Sequence, residues 1–360
     1  MKQALVILAF VVLIILALGV GSAIFFGAGL GTGSGRDGGV FQTVDRGATW
    51  VQKVKVAGGG SLAGVEATHL AIFPKLPQTI YLGTLGHGLW RSTSSAEEWT
   101  PVVSGQALTN RTEITALALD PVNPALFYVG ARLERGGELE RTTDGGATFE
   151  TVFIPARTNA TIVGVVVDPS RPERIYIGTS DGGTLVSENR GTTWRALRWF
   201  GAQVGLLRLA PDGTIWIALK SSGLLRSKDR GNTWEDMSAK LGGAIRSFEF
   251  DPNRPGTIYA GTNQGLKRST DSGNTWSYFN LIVPPQALPI TAVALPMSDP
   301  QTIYAGGGNF VFKSNDGGLT WQSVRLPTSR RIVALIADPI HSGTIFLGLA
   351  RGEGRLLFGS

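Results

Sequence analysis

Residues 227–237 read SKDRGNTWEDM. A serine, an aspartate two places on, a glycine two further and a tryptophan closing the run are too polar for a core and too aromatic for a linker. The phrase returns as TVDRGATW (43–50), TTDGGATF (142–149), SENRGTTW (187–194), STDSGNTW (269–276) and SNDGGLTW (314–321), with a worn copy, STSSAEEW, at 92–99. The third-position residues are Asp45, Ser94, Asp144, Asn189, Asp229, Asp271 and Asp316, spaced by 49, 50, 45, 40, 42 and 45 residues. One chain has no use for seven copies of a rare chemistry, so the repeat is architecture first.

A second phrase alternates with the first: ITALALDPVNPALFYVG (114–130), IVGVVVDPSRPERIYIG (162–178), IRSFEFDPNRPGTIYAG (245–261), ITAVALPMSDPQTIYAG (290–306) and IVALIADPIHSGTIFLG (332–348). VGLLRLAPDGTIWIA (204–218) is a shortened version and THLAIFPKLPQTIYLG (68–83) a looser one. Each is an apolar run, a turn rich in Asp, Pro and Asn, and a second run of β-branched and aromatic residues. Proline cannot donate to a sheet ladder and Asp-Pro punctuates turns, so each phrase predicts a hairpin of strands A and B. The first phrase predicts a second hairpin, C and D. Seven four-stranded units at this period predict an all-β, seven-bladed propeller.

In SKDRGNTW the turn needs unusual backbone angles. Gly231 takes a positive φ at little steric cost, and Asp229 and Ser227 can bond back to turn amides. Trp234 then buries its ring between blades while its N–H finds an acceptor. Asn189 keeps the acceptor oxygen, so that copy folds. Ser94 and Ala96 lack both carboxylate and glycine, which predicts an altered turn.

The S/T-x-D-x-G-x-T-W phrase resembles the Asp-box, or bacterial neuraminidase repeat, of sialidases, xyloglucanases, sortilin-type receptors and the photosystem II assembly and stability factors. The resemblance covers nearly all of residues 40–350. It implies structural roles, on outer C–D turns away from the binding face, for Asp45, Trp50, Asp144, Asn189, Trp194, Asp229, Trp234, Asp271, Trp276, Asp316 and Trp321.

The 360 residues include 49 glycines, which suit many tight turns, and no cysteine. That excludes disulfides, thiolate metal sites, cysteine nucleophiles and a lipid-modified cysteine. His69, His87 and His341 do not cluster, and neither a phosphate-binding glycine loop nor HExxH is present, so no cofactor and no metal are expected. The stretch at 4–26, ALVILAFVVLIILALGVGSAIFF, carries no charge. As a helix its ~23 residues span about 34 Å, enough to cross a bilayer. Lys2 before it favours a cytoplasmic N-terminus. GVGSA (19–23) offers small residues for signal peptidase, so a cleaved signal is the rival reading. Either way the propeller is exported. The expected organisation is a cytoplasmic stub (1–3), a signal-anchor (4–26), a Gly-rich linker (27–38) and the propeller (39–360).

The C-terminal end supplies only strands A and B of a blade (331–350) and the N-terminal end only C and D (38–54), so the two ends are expected to share one blade. RLLFGS (355–360) resembles another strand C and competes with residues 40–43 for that slot.

Function is expected on the face made by the loops that enter strand A and by the B–C loops. These carry Arg111, Arg157, Arg246, Arg330 and Arg331, with Arg132, Arg135 and Arg351 nearby, in a chain of formal charge +6. Arginines converging on one rim would attract carboxylate-rich peptide, acidic glycan or lipid head groups. For catalysis, the Arg-Ile-Pro motif of sialidases is absent, since FIPAR (153–157) has the residues in another order. Xyloglucanases set a carboxylate from each of two propellers across a cleft. Glu113, Glu134, Glu138, Asp181 and Glu249 are the acids in or near candidate loops, and no spacing pairs them. No basic stripe with interleaved rings suggests nucleic acid. In size, repeat number and export signal the chain is most similar to the photosystem II assembly factors. That implies a non-catalytic, membrane-anchored extracytoplasmic scaffold that docks a membrane-associated protein partner. A glycoside hydrolase or other carbohydrate-active protein and a sortilin-like peptide receptor are the alternatives.

Overall fold

The computed structural model describes residues 36–352, apart from positions 106, 135, 222, 282 and 284–286. The expected anchor at 4–26, most of the linker and the segment 355–360 lie outside the described residues. Among the described residues no helix is long and apolar enough to cross a membrane. They form seven four-stranded antiparallel sheets. Blade 1 comprises strands Ala67–Phe73, Leu76–Thr84, Leu89–Ser92 and Thr100–Val102, in the order A to D. Blades 2 to 6 follow in sequence, with strands A at Glu113–Leu119, Ile162–Val167, Val204–Leu209, Ile245–Phe250 and Ile290–Ala294.

Blade 7 joins the two ends of the chain as the repeat pattern demanded. Strands A (Arg331–Ala337) and B (Ile345–Ala350) pair with strands C (Gly39–Thr43) and D (Val51–Lys53). The register runs from Gly39 opposite Leu349 to Thr43 opposite Ile345, so residues 39–43 hold the strand-C slot.

The inner strands of each sheet bury both faces against the neighbouring blades while strand D is largely exposed, so the core is divided among the blade interfaces. Between blades 1 and 2, for instance, Tyr81, Leu89 and Val102 meet Ile114, Phe127 and Val129. The repeated I-Y-x-G of strand B has a physical cause here. A Cβ on Gly83 would lie 2.7 Å from Ile114 Cγ2, on Gly178 2.9 Å from Val204 Cγ1, on Gly261 2.5 Å from Ile290 O, on Gly306 2.7 Å from Ile332 Cγ2 and on Gly348 2.7 Å from Ala67 Cβ. In each case the obstacle is strand A of the next blade. Opposite these positions every strand A carries a bulge, which leaves Thr68, Thr115, Val163, Gly205, Arg246, Thr291 and Val333 outside the ladder. All seven line the central channel. A bulge leaves one residue unpaired and re-aims its side chain. Thr68 uses this to donate to Ile114 O of the next blade at 2.8 Å.

The opening motif proves to be a fastener between blades. In SKDRGNTW, Ser227 Oγ donates to Asp229 Oδ1 (2.9 Å) and accepts from Gly231 N (2.7 Å). Asp229 in turn accepts from Thr233 N (2.8 Å) and Thr233 Oγ1 (2.6 Å). These bonds from Thr233 hold the Asp229 carboxyl down at about 2. Arg230 and Gly231 both sit in the left-handed region, at φ 62° and 89°. Trp234 donates to Gly231 O and packs edge-on to Phe200, which follows blade 3. Asn189 reproduces the arrangement, accepting from Thr193 N at 2.9 Å.

The worn copy departs from expectation, because its turn is retained. Ser95 and Ala96 take the same paired left-handed angles, φ 55° and 69°. Ser92 Oγ accepts from Ala96 N (3.0 Å), and Ser94 Oγ substitutes for the carboxylate by accepting from Glu98 N (3.1 Å). Trp99 is fully buried and donates to Lys53 O of blade 7. Packing against the closing blade overrides the unfavourable angle of Ala96.

A latch reinforces the closure. Asp37 accepts from Ser329 N (3.0 Å), Ser329 Oγ (3.0 Å), Thr328 Oγ1 (3.0 Å) and Arg330 Nε (3.1 Å). Arg330, 2% exposed, lies over Gly38 and donates to Val65 O and Gly64 O. Burial pushes the Asp37 carboxyl up, but the bonds from Ser329, Arg330 and Thr328 outweigh it and hold the group well below the usual carboxylate range.

Two stability predictions follow from this packing. Gly261→Ala should destabilise by about 1–3 kcal/mol through overpacking, whereas Gly201→Ala, with open space around its Cβ, should leave the melting temperature essentially unchanged. Because the pKa of Asp37 is lower folded than unfolded, its contribution is present above the ordinary carboxylate range and lost as pH falls. Asp37→Asn should therefore lower the melting temperature at neutral pH, and the difference should shrink on acidification.

Candidate functional site

The boxes and the A–B turns occupy one face of the ring. The opposite face is built from the D–A and B–C loops, whose sequences are free of the repeat. There a groove of about 750 Å³ lies across blades 2, 3 and 4. Its walls are the blade 2 B–C turn (Arg132, Glu134, Gly136, Gly137), the loop entering blade 3 (Arg157, Thr158, Asn159) and Ser180, Asp181 and Gln203 beyond. Arg157 Nε stands 3.8 Å from Asp181 Oδ2 while the arginine remains 74% exposed, so solvent screens this pair and leaves the guanidinium available. Asp181, by contrast, is largely buried and accepts from Thr179 Oγ1. Arg132 Nε lies 3.4 Å from Glu113 Oε2 across the ladder.

The five arginines of the expected rim occupy different environments. Arg111 and Arg157 are exposed on the loop face. Arg331 is half-buried and donates to Leu288 O at 3.1 Å. Arg330 is consumed by the latch and is out of a ligand's reach. Arg246 stands at the blade 5 bulge and faces the central channel.

That channel has a volume of about 240 Å³ and walls of Leu117, Val165, Leu206, Val293 and Leu335. Four charged or titratable residues interrupt them: His69, Arg208, Arg246 and Glu249. Arg208 Nη2 lies 3.9 Å from Glu249 Oε1. Enclosure by the ring pushes the Glu249 carboxyl up, with Arg208 opposing. The same enclosure, aided by Arg208, lowers His69 to about 4. Sequence reasoning missed Arg208 and His69 as a group. Their signal was a charge inside an otherwise apolar strand A, in VGLLRL and THLAIF, just as IRSFEF holds Arg246 and Glu249.

Of the acids considered for catalysis, three are dispersed and two share the groove. Glu113 faces Arg132, Glu249 faces Arg208, Glu138 is buried in blade 2, and Glu134 and Asp181 border the groove. Among the described residues no group of three or more His, Asp or Glu side chains is placed to hold a metal ion.

These features define a single seven-bladed Asp-box propeller with a loop-face groove and a charged hub. The chain is related in this architecture to YCF48, a photosystem II assembly factor, and to the GH74 xyloglucanases. No protein-family profile matches the chain. It is 30% identical over 168 residues to a xyloglucanase of a Paenibacillus species (42% of this chain, 16% of the relative). It is 29% identical over 159 residues to an oligoxyloglucan-reducing end-specific xyloglucanase of Emericella nidulans (41% and 19%). The matches thus span less than a fifth of these curated relatives' own length. YCF48 bound to D1 peptide superposes with TM-score 0.62 at 15% identity, covering 79% of this chain and 94% of that one. A GH74 xyloglucanase from Xanthomonas campestris superposes with TM-score 0.67 at 19% identity, covering 82% and 52%.

The depressed His69 value makes a prediction with a definite sign. The unfolded imidazole takes up its proton near pH 6.5 and the folded one at about 4, so stability present above pH 6.5 is lost as pH falls between them. Thermal melts of His69→Gln should lack that component of the pH profile.

Proposed function

We propose that this protein is a non-catalytic binding and assembly scaffold, held outside the cytoplasm at a membrane by its N-terminal segment, that docks a protein partner on its loop face. The observation that carries this reading is the groove across blades 2 to 4. It sets Arg132 and Arg157 among Glu134, Asp181, Asn159 and Gln203, with little side-chain bulk at Gly136, Gly137 and Gly201. Such a surface suits an extended peptide: the open space at Gly201 admits close backbone approach, amides match its N–H and C=O groups, and opposed charges set its register. The fold likeness to YCF48, over nearly all of that chain and in a complex with D1 peptide, supports a peptide segment as the ligand. Of the rim arginines, Arg111 and Arg157 are the exposed ones such a partner would meet.

The sequence matches to xyloglucanases keep a second reading, a carbohydrate-active protein, under test. The dispersion of Glu113, Glu138 and Glu249 into separate contacts weighs against it, since glycosidic cleavage needs two carboxylates facing one bond.

Fluorescence polarisation against arrayed peptides from membrane proteins tests the scaffold. Saturable binding that Arg157→Glu weakens about tenfold or more is expected, because reversal replaces attraction with repulsion in the groove. Binding by no peptide, or binding unchanged in the variant, would count against the reading. Release of reducing ends from xyloglucan, abolished by Glu134→Gln or Asp181→Asn, would replace it with the enzymatic one.

A further inference from the structure

The hub differs from the rest of the ring between blades 4 and 5. Elsewhere neighbouring strands A lie close, and in blades 1, 3, 5, 6 and 7 strand B offers a glycine where the next blade approaches. Blade 4 has Ala218 at this position, opposite Leu206, and its strand A lies against that of blade 5 less closely than any other neighbouring pair. Arg208 enters this opening from blade 4, and Arg246 and Glu249 from blade 5. Glu249 is directed to Arg208. Arg246 forms no ion pair among the described residues, and its buried Nε has no hydrogen-bond partner. Thr115 Oγ1 and Ser247 Oγ, on side chains 8% and 7% exposed, also lack partners and belong to the same channel wall.

We propose that the central channel is a binding site for one small oxyanion, a carboxylate or a phosphate, held by Arg246 with Arg208 beside it. The channel wall carries two guanidiniums and one carboxylate, so its charge is unbalanced by a single positive unit. A guanidinium whose buried Nε lacks an acceptor is costly, and an oxyanion relieves that cost by accepting from its planar fork. His69, across the channel, is neutral above about pH 4 and adds no competing cation. The channel volume of about 240 Å³ admits an anion of that size together with water. The site is separate from the outer groove and does not depend on which partner the groove takes.

Isothermal titration of the folded protein with phosphate and acetate tests this, with chloride at equal ionic strength as control. A glycine tripeptide with a free C-terminal carboxylate, compared with its amide, forms a third arm. Saturable one-to-one binding of phosphate or acetate supports a free anion as ligand. Binding of the tripeptide and not its amide supports the end of a peptide chain. In either case Arg246→Gln should weaken binding about tenfold or more, the loss expected for charged hydrogen bonds, and Arg246→Lys should fall between. Lys228→Ala, exposed on the box face, should leave hub binding unchanged. The proposal is overturned by three results: no saturable heat in any arm, equal heat from chloride, or wild-type affinity in a folded Arg246→Gln protein.

Discussion

A blade of this protein cannot exist alone. Its inner strands bury both faces, and the only surfaces available to cover them belong to the blades on either side. Closure of the ring is therefore the constraint on which everything else rests. The molecule meets it in three places: glycine opposite a bulged strand at the hub, a left-handed turn and an aromatic ring at the rim, and the pairing of the chain's ends in blade 7. The Asp37–Arg330 latch extends that pairing to the chain just ahead of strand C, tying it to the loops before blades 7 and 1.

The same constraint partitions the two faces. Box aspartates and box tryptophans are occupied by hydrogen bonds and by the preceding blade, so the box face is committed to holding the ring. The loops on the other face share no fastening motif, and their sequences vary accordingly. Function has room there, in the groove over blades 2 to 4 and in the hub beneath it. Arg330 shows that being on the loop face is insufficient. It sits in a loop that closes the ring, and its guanidinium is consumed by that task.

Much of the fold was legible because it repeats. Blade number, the alternation of hairpins and the sharing of a blade by both ends followed from periodicity and turn chemistry. The prediction for STSSAEEW went astray because local preference at Ala96 was weighed without the burial of Trp99 against blade 7. The hub was legible only in hindsight. The lone Ala218 in a series of strand-B glycines, and the charges inside strands A, mark the place where the inner strands of two blades stand apart. Strand periodicity alone reads past them, since a bulge shifts which face each residue takes.

The amino-acid sequence by itself determined the wheel, since each copy of the phrase carries its own turn residues and its own apolar faces. Tertiary structure alone decided the fate of the arginines. Arg157 reaches solvent, Arg330 is sealed under the latch and Arg246 is turned into the channel. The physical reason is that a charge's role depends on which distant backbone and side-chain groups close around it. Those groups come from segments as far apart as residues 37 and 330, whose meeting no local pattern encodes.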